Sequence, residues 1–468
     1  MISLFSGAGG LDIGLEQAGF TTVLANELEP HVCETLRSNR VLRSLKPSKF
    51  PNWFESHVLS QRCYRNSTES QQIALRDRLL IALGETVVPF KNAKIVQEDI
   101  RKLRAEDIFE YTGLNRGELD LMAGGPPCQP FSRAGKREMT ASQDGRLFLE
   151  YVRLVDAVRP RWVLFENVKG LVIHKADMCR ISCIACGLKT LPPFQERDHF
   201  DNKEITDFCC PACNSRTSHT ISWTKERSGA LDMVASEFQR LGYKTHTRVL
   251  NAANYGAPQN RERLFLVASR DNECFEWPQE THFDPKRLSS QANLFDVPGD
   301  EQRPYISLQD ALYDKGHWQF GKLNPNTAVL WVKNVVRPHD EPVTWTLDRV
   351  APTIGAHQAA KLAIAPFGVP EAQLSRQQWH VLGRRQGDSP PVFVEHEYLQ
   401  DEELLAIQTF PRSWYIHGTR MQRAFQIGNA VPPILSRRVG EQILSENNLS
   451  TSFLEKPSHE HDTSSLHA

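Results

Sequence analysis

The N-terminal stretch MISLFSGAGGLDIGLEQAGF most constrains the fold of this chain, because it joins a short apolar strand to a helix through a glycine-rich loop. The strand pattern runs from Ile2 to Phe5, and the helix places Leu11, Leu15 and Ala18 on one face. Glycines in such a loop let a nucleotide or nucleoside approach the backbone closely. The pattern therefore predicts the first unit of an open α/β domain with a ligand at the loop.

Later strand patterns end in acidic residues. TTVLANELEP ends in Glu27, AKIVQEDIRKL ends in Asp99, and PRWVLFENVKGL runs into Glu166. The carboxyl ends of parallel strands meet at one edge of an open sheet, and ligands bind there. Any one of these acids could be solvated or could cap a helix, but their order along the chain favours a parallel sheet with a ligand across its carboxyl ends.

The segment MAGGPPCQPFSRAG presents one thiol, Cys128, directly after two prolines. Pro126 and Pro127 stiffen the backbone before the thiol, and Gly124 and Gly125 allow a flat ligand to come close. The preceding ELDLMAGG is typical of a short buried strand, so Cys128 follows the end of that strand. This presentation indicates a nucleophile. The alternative is a cysteine buried in a turn, since free cysteine is among the most buried residue types.

A polar group precedes the strongest apolar strand pattern of the chain. NYGAPQNRERLFLVASR places Gln259, Arg261 and Arg263 just before that strand. In an extended segment the alternating Arg261 and Arg263 point the same way, and they could form one cationic wall near Glu166. The alternative is a solvated entry to the strand.

Composition limits the remaining function classes. A chain of 468 residues predicts two or three domains, and 40% hydrophobic with 24% charged residues is typical of a globular protein. The formal net charge of −1 means that any surface for nucleic acid is a local patch. We find no signal-peptide pattern and no apolar run long enough to span a bilayer, which predicts a reducing cytoplasm with free thiols.

Six of the ten cysteines lie within residues 179–213. Cys183-x-x-Cys186 and Cys210-x-x-Cys213 form two knuckles with the spacing of a tetrahedral zinc site, in a short hydrophilic stretch. A redox pair is the alternative, although nothing nearby indicates a thioredoxin-like fold. Four further side chains could substitute as ligands, the two histidines being weaker candidates: Cys179, Cys209, His199 and His219.

Seven segments, spread in order from Phe5 to Pro433, resemble the C5-cytosine DNA methyltransferase family: FSGAGGLDIGLEQAGF, NELEP, EDI, GGPPCQPFSRAG, ENVKGL, QNRERLFLV and FQIGNAVPP. The resemblance implies an α/β fold, with an S-adenosylmethionine-dependent, Rossmann-like catalytic domain and a smaller target-recognition domain. The cysteine-rich stretch is then an inserted zinc-knuckle module. It further implies methyl transfer to C5 of a cytosine that is flipped out of duplex DNA.

The resemblance also assigns the residues at the cytosine, namely Cys128, Glu166, Arg261, Arg263, Pro126 and Gln259. Cys128 adds to C6 while Glu166 acts on N3, because C5 must become enamine-like before it accepts a methyl group. Arg263, with Arg261 beside it, engages the O2 side and holds Glu166. The implied contacts of S-adenosylmethionine are Phe5, Ser6, Gly7, Gly9, Gly10, Glu27, Asp99, Ile100, Leu147, Asn429 and Val431.

The predicted organisation interrupts the catalytic domain twice. Its segments are residues 1–175, 226–270 and 398–444, and the first of them contains a helical insert at about 31–91. A zinc-binding module covers 176–225, the target-recognition domain 271–397, and a disordered tail 445–468. The basic start of the helical insert could contact phosphates or form a solvated face.

The predicted partner is double-stranded DNA, bound by a cytoplasmic bacterial monomer that associates with the nucleoid when on DNA. A cognate restriction endonuclease is a further candidate partner. Two other functions are weighed against this one: an RNA (tRNA) cytosine-5 methyltransferase, which would share almost every catalytic residue, and a non-catalytic zinc-bearing DNA-binding protein. A cysteine-dependent hydrolase is disfavoured because no histidine motif accompanies Cys128.

Overall fold

The computed structural model of the protein describes residues 1–127, 143–173, 175–191, 209–210, 212–216, 219–227, 229–285, 302–313, 328–331, 344–356, 362–364 and 397–446. The predicted nucleophile Cys128 lies outside these residues, as does His199. Most of the predicted target-recognition domain and residues 447–468 of the predicted tail also lie outside them.

A seven-stranded sheet forms the centre of the protein. The described strands are β1 (Ile2–Leu4), β2 (Leu24–Glu27), β3 (Lys94–Gln97), β4 (Leu121–Gly124), β5 (Trp162–Val168), β6 (Lys175–Cys183), β7 (Lys189–Thr190), β8 (His219–Arg227), β9 (Lys244–Asn251), β10 (Glu262–Ser269), β11 (His282–Phe283), β12 (Arg303–Pro304), β13 (Ala328–Trp331), β14 (Thr344–Thr346), β15 (Leu362–Ile364) and β16 (Glu397–Tyr398). The central sheet has the order β3-β2-β1-β4-β5-β10-β9. Its first five strands are parallel, and β10 runs antiparallel to both neighbours.

Helices lie between the strands along the described chain. They are α1 (Gly10–Ala18), α2 (Pro30–Ser44), α3 (Phe50–Trp53), α4 (Arg62–Arg65), α5 (Glu69–Leu80), α6 (Ala105–Thr112), α7 (Gln143–Val158), α8 (Gly170–Ile173), α9 (Gly229–Arg240), α10 (Leu308–Tyr313), α11 (Asp401–Ile407), α12 (Arg420–Asn429) and α13 (Pro433–Glu446). Short 3-10 segments occupy Pro47–Lys49, Ile81–Gly84 and Ala252–Tyr255, and Phe54–Val58 is a π-helical turn. No helix in the described part of the chain is long and apolar enough to cross a membrane.

The central strands read as continuous apolar runs because both of their faces are covered. Every residue of β5 from Trp162 to Asn167 is buried. On one face, side chains of α7 and α9 pack with Val163 and Phe165. On the other, α1 and α13 pack with Trp162 and Leu164. This confirms the predicted α/β fold with a mainly parallel sheet.

A separate three-stranded sheet, in the order β7-β6-β8, follows the end of β5. Strands β6 and β8 pair antiparallel along their whole length, from Lys175 opposite Arg227 to Cys183 opposite His219. Met178 of β6 is buried in the same core cluster as Met233 of α9, so one end of this sheet packs on the domain built around the central sheet. The two cysteine knuckles extend from the far end of the sheet.

The predicted helical insert is built into the protein rather than standing apart from it. Side chains of α2, α3, α4 and α5 form one buried cluster with Tyr415, which lies far away in the sequence. Arg43, at the predicted basic start, has a fully buried side chain, and Arg78 is also buried. Burial of these two arginines against protein groups removes them from any solvated or phosphate-binding face.

Asp12, in the first turn of α1, is a carboxyl group without exposed surface. Neither of its oxygens has an aligned hydrogen-bond partner in the described structure. Burial raises the pKa of Asp12 to about 7, and the nearby Ser3 hydroxyl offsets only part of this. The native protein therefore holds this proton at pH values where the unfolded chain has released it.

We expect this buried carboxyl to make the protein less stable as the pH rises from about 4 to about 7. A group with a raised native pKa stabilises the native state below its unfolded pKa, and that contribution is lost as pH rises through the native pKa. Asp12→Asn, an isostere of the neutral form, should melt several degrees higher than the wild type at pH 8 but not at pH 5. Thermal unfolding at both pH values measures this. Asp77→Asn on the exposed face of α5 is the control, and equal pH dependence in Asp12→Asn and the wild type would contradict the prediction.

Candidate functional site

The candidate site lies at the carboxyl edge of the central sheet, where the strand order reverses between β1 and β4. These two strands are neighbours, with Leu4 opposite Gly124. The glycine-rich loop therefore leaves the sheet beside the Gly-Gly-Pro-Pro segment. A crevice at such a switch point is where open α/β sheets bind ligands.

The loop after β1 is held by the acid at the end of β2. Phe5 has a positive φ of 56°, an uncommon backbone conformation for a residue other than glycine. The Gly7 amide donates to Glu27 Oε2 at 2.9 Å, and the amides of Leu28 and Glu29 donate to Oε1 at 2.8 and 3.1 Å. These amides fix the orientation of the carboxylate, which retains acceptor capacity for ribose hydroxyls. The predicted loop and the predicted ribose-binding acid thus lie together.

The late GNAVPP segment also reaches this loop. A Cβ atom added to Gly10 would collide with the Val431 carbonyl, so glycine is needed for this close approach. Val431 and Ala430 are buried there, whereas Asn429 is exposed at the end of α12. Residues more than 400 positions apart therefore form one edge of the crevice.

The remaining predicted cofactor residues lie at and beyond the end of β3. Asn26 Nδ2 donates to the Glu98 carbonyl at 2.9 Å, which ties the ends of β2 and β3 together. Asp99 then follows and accepts hydrogen bonds from Arg101 at 2.9 and 3.0 Å, and these bonds lower the pKa of the Asp99 carboxyl. Ile100 is buried in the main core, and Leu147 of α7 packs against the same cluster.

The segment before Cys128 is pressed against the end of β5. A Cβ atom at Gly125 would lie 2.7 Å from Glu166 Oε2, so only glycine fits here without displacing that carboxyl group. Asn167 Nδ2 donates to the buried Pro126 carbonyl at 3.1 Å. The role of Asn167 was not predicted from the sequence, in which its place beside Glu166 was its only signal. This amide holds the backbone from which Cys128 follows.

Glu166 and Arg263 form a buried ion pair across neighbouring strands. Arg263 Nε lies 2.9 Å from Glu166 Oε1, although the N–H is not aligned for a hydrogen bond. Burial raises the pKa of Glu166, and the charges of Arg263 and Arg261 offset part of that rise. A carboxyl group whose pKa is raised stays protonated to higher pH than an ordinary glutamate, as a general acid requires. The predicted partnership of Glu166 with Arg263 is thus present in the structure.

Arg261 and Gln259 face protein groups rather than the Glu166 carboxyl. Arg261 is fully buried and donates to the carbonyls of Ile354 and Gly428 at 2.9 and 2.7 Å. Gln259 Oε1 accepts from the Ile354 amide at 2.8 Å. These two side chains therefore join β10 to the DRVAPTIGA segment and to α12. Their predicted place at the substrate base stays a prediction, and their described contacts tie the start of β10 to remote segments.

The second cluster consists of four cysteines at the tip of the β6–β8 sheet. The Sγ atoms of Cys183, Cys186, Cys210 and Cys213 all lie within 4.8 Å of one another. The Cys183–Cys213 and Cys186–Cys210 sulfur pairs are 3.7 and 3.6 Å apart. A tetrahedron with Zn–S bonds of about 2.3 Å has sulfur–sulfur edges of about 3.8 Å. The measured pairs match that size.

The two knuckles have the same backbone construction. Gly187 donates to the Cys183 carbonyl at 2.8 Å, and Asn214 donates to the Cys210 carbonyl at 2.8 Å. Both residues have a positive φ, of 74° and 54°. Two equal turns thus present their sulfurs to a common centre.

The other candidate ligands differ in their surroundings. Cys179 is buried within β6, while the Cys209 thiol donates to the Asn214 carbonyl at 3.6 Å. The side chain of His219 lies outside the described part of the structure. Among the described residues, the four-sulfur group is the one cluster that could hold a metal ion.

Comparison with known proteins matches most of this chain to one family. The sequence profile described as C-5 cytosine-specific DNA methylase matches residues 1–52, 89–184 and 223–445. The unmatched internal stretches are 53–88, which contains α5, and 185–222, which contains three of the clustered cysteines.

Named relatives match two thirds or more of this chain. The Type II methyltransferase M1.HphI of Haemophilus parahaemolyticus is 25% identical over 459 residues, which cover 95% of this chain and 87% of that protein. The Type II methyltransferase M.AquIA of a Picosynechococcus strain is 28% identical over 320 residues, an alignment that covers 67% of this chain and 87% of that protein. The crystal structure of the S. pombe Dnmt2 methyltransferase aligns with 95% of this chain and 98% of that one, at 15% identity and a TM-score of 0.48.

Proposed function

The chain belongs to the family of C-5 cytosine-specific DNA methylases, and we propose that it methylates a flipped cytosine within a specific duplex DNA sequence through a covalent bond from Cys128 to C6. The observation that carries this proposal is the buried Glu166–Arg263 pair, held against Gly125 two residues before Pro127. That pair supplies a carboxyl group with a raised pKa beside the segment that delivers the thiol.

The loop after β1 fits S-adenosylmethionine. Glu27 offers an oriented carboxylate to ribose hydroxyls, and the glycines of the loop leave room for the cofactor against the backbone. Val431 and Asn429 close the side of the loop that faces α12. When bound, S-adenosylmethionine supplies an electrophilic methyl group.

The residues around the target cytosine then have distinct roles. The Cys128 thiolate forms a bond to C6, while Glu166 donates a proton or hydrogen bond to N3 and so stabilises the electron density that the addition pushes onto N3. Arg263 keeps Glu166 in place and faces the O2 side. After methyl transfer to C5, water takes the C5 proton, the C5–H electron pair re-forms the C5–C6 double bond, and the C6–S bond breaks so that Cys128 leaves as a thiolate. N3 then returns its proton to Glu166.

The role that we propose for Arg261 and Gln259 is to position this machinery. A buried guanidinium that donates to the Gly428 and Ile354 carbonyls resists movement of α12 and of the DRVAPTIGA segment. Misplacement of reacting groups by about 1 Å can cost about a hundredfold in rate, so such walls matter for turnover.

The activity is tested directly by methyl transfer from labelled S-adenosylmethionine to duplex DNA and, in parallel, to tRNA. Bisulfite sequencing of DNA from cells that express the protein then locates the modified cytosines. We expect label in DNA at one recurrent sequence. Labelling of tRNA alone would replace this proposal with the RNA methyltransferase alternative, and absence of transfer to either would leave a non-catalytic DNA-binding protein.

The names of the relatives support a biological role for this activity in restriction and modification of DNA. Both named relatives are Type II methyltransferases, so we propose that this protein protects DNA in a bacterial cytoplasm alongside a cognate endonuclease. We further propose that it acts as a monomer, which sedimentation of the protein with and without a duplex oligonucleotide tests.

The four clustered cysteines are proposed to hold a structural zinc ion. Four thiolates close the coordination shell, so the ion has no open position for catalysis. The proposal is supported by sulfur distances of 3.6 and 3.7 Å and by the two matching knuckles. The short sheet on which they stand gains stability from the metal, as small domains with little apolar core require.

We expect the purified protein to contain about one zinc per chain. Cys183→Ser with Cys186→Ser should release the metal and loosen β6 and β8, while methylation of a short duplex survives, because these residues lie outside the catalytic machinery. Elemental analysis and the methyl-transfer assay measure both effects. Cys209→Ser is the matched control and should keep the metal. A zinc-free protein prepared without chelator or oxidation would refute the metal, and loss of all activity in a folded double variant would refute the accessory role.

A further inference from the structure

A tryptophan to which the sequence analysis gave no role contacts the loop after β1. Trp414 is fully buried, and its indole N–H donates to the Ala8 carbonyl at 3.1 Å. Ala8 stands in the middle of the loop that we propose binds S-adenosylmethionine. A buried carbonyl needs a donor, so this bond fixes the orientation of the peptide between Ala8 and Gly9.

Aromatic rings surround the same stretch of loop. The ring of Phe90 approaches Gly9 so closely that an added Cβ atom would lie 3.1 Å from it, and Phe410 stands at the same distance from Gly10. The ring centres of Phe90 and Phe410 lie 6.4 and 6.2 Å from that of Trp414. The three rings therefore pack against the backbone of Ala8, Gly9 and Gly10.

Trp414 is itself held by a buried arginine. The Arg43 guanidinium lies over the indole at 4.9 Å, which is the range of a cation–π contact. Arg43 Nη2 donates to Ser413 Oγ at 2.8 Å, and Nε donates to Glu85 Oε2 at 2.8 Å. Glu85 also accepts a hydrogen bond from the Ser413 hydroxyl. The position of the indole therefore depends on Glu85.

A second arginine holds the backbone of the same segment. Arg78 Nη1 donates to the carbonyls of Arg412 and Trp414 at 2.8 and 3.0 Å. Arg78 and Glu85 both belong to residues 53–88, the stretch that the family profile does not match. Residues 53–88, called the insertion from here on, thus contact the Trp414 segment directly through Arg78 and, by way of Arg43, through Glu85. Trp414 in turn contacts the loop after β1.

We propose that Trp414 is a positioning residue for the S-adenosylmethionine loop, and that the insertion 53–88 holds it in place through Arg78 and Glu85. The inference rests on the proposed function for the identity of the ligand. A loop that spends less time in its binding arrangement binds more weakly in proportion to that loss. Trp414 contacts the loop and not the residues proposed to act on the cytosine. A substitution at Trp414 should therefore change the affinity for the cofactor but not the rate of the chemical step at saturating cofactor.

Trp414→Phe tests this, since it keeps a ring but removes the N–H donor. We expect calorimetry to give a dissociation constant for S-adenosylmethionine about three- to tenfold higher than that of the wild type, the size expected for one hydrogen bond. Turnover at saturating cofactor and the KM for DNA should stay within about twofold. Glu85→Gln, a remote and half-exposed change, should weaken cofactor binding in the same direction by a smaller factor.

The double variant separates a shared route from two independent effects. If Glu85 acts through Trp414, the double variant should bind cofactor about as weakly as Trp414→Phe alone. Arg76→Ala is the matched control, since Arg76 is exposed on α5 and pairs only with its neighbour Asp77 among the contacts described. Thermal unfolding establishes that each variant is folded.

Unchanged cofactor affinity in both single variants would overturn the inference, and so would an equal loss in DNA affinity and turnover. Should Trp414→Phe fail to fold, Glu85→Gln still decides the outcome. A wild-type protein that does not bind S-adenosylmethionine would instead refute the proposed function, so the two failures are distinguishable.

Discussion

Cys128→Ser is expected to lower methyl transfer by at least about four orders of magnitude while S-adenosylmethionine binds nearly as well as to the wild type. A serine hydroxyl is far less ionised than a thiol at neutral pH and adds poorly to C6. Loss of a nucleophile removes a step that no other group in the site supplies, which is why such losses are large. Calorimetry measures cofactor binding, and labelled methyl transfer measures turnover.

Cys274→Ser is the control for this change, because Cys274 is exposed and lies away from the Glu166–Arg263 pair. A duplex that carries 5-fluorocytosine at the target position gives a second readout. Fluorine cannot leave C5 as a cation, so the adduct with Cys128 persists and should survive denaturing electrophoresis in the wild type but not in Cys128→Ser. Turnover near the wild-type rate in Cys128→Ser would rule out the covalent mechanism.

Glu166→Gln is expected to lower kcat by about two to four orders of magnitude with little change in the KM for DNA. The amide can still donate a hydrogen bond, but it cannot deliver a proton to N3 as the thiolate adds to C6. The change also leaves Arg263 without its buried counter-charge, so the variant should lose some stability. Steady-state kinetics with saturating cofactor separate the two parameters.

The pH profile adds a signature that a structural role would not produce. Burial raises the pKa of Glu166, so the wild-type protein keeps its acid protonated above the range of an ordinary glutamate, and kcat should fall as pH rises through that raised pKa. Glu166→Gln should lack this fall. Glu262→Gln, an exposed neighbour that pairs with Lys169, is the control. A variant whose defect is confined to KM would contradict the acid role.

Several features of this protein were predictable from short stretches of sequence. The strand, glycine loop and helix at the N-terminus, the acids Glu27 and Asp99 after their strands, and the alternation that aims Arg263 toward Glu166 are all set by local geometry. Cysteine spacing likewise predicted which four sulfurs converge. Periodicity, turn chemistry and ligand spacing act over a few residues, so a sequence displays them directly.

Other contacts could not be predicted from the sequence because the partners lie far along the chain. Arg261 donates to carbonyls 93 and 167 residues away, and Trp414 reaches Ala8 over 406 residues. The basic sequence at the start of the helical insert did not predict that the Arg43 side chain is buried against the Trp414 indole.

What the sequence by itself determined is therefore the strand, loop and helix at the N-terminus, a mainly parallel sheet, the residue types available for chemistry, and the cysteine cluster. Only the tertiary structure decided that Arg261 and Gln259 bond to remote backbone groups, and that Arg78 and Glu85 contact residues 412–414. The physical reason is that leaving a buried polar group without a partner is costly, and packing between remote segments determines which partner lies within reach.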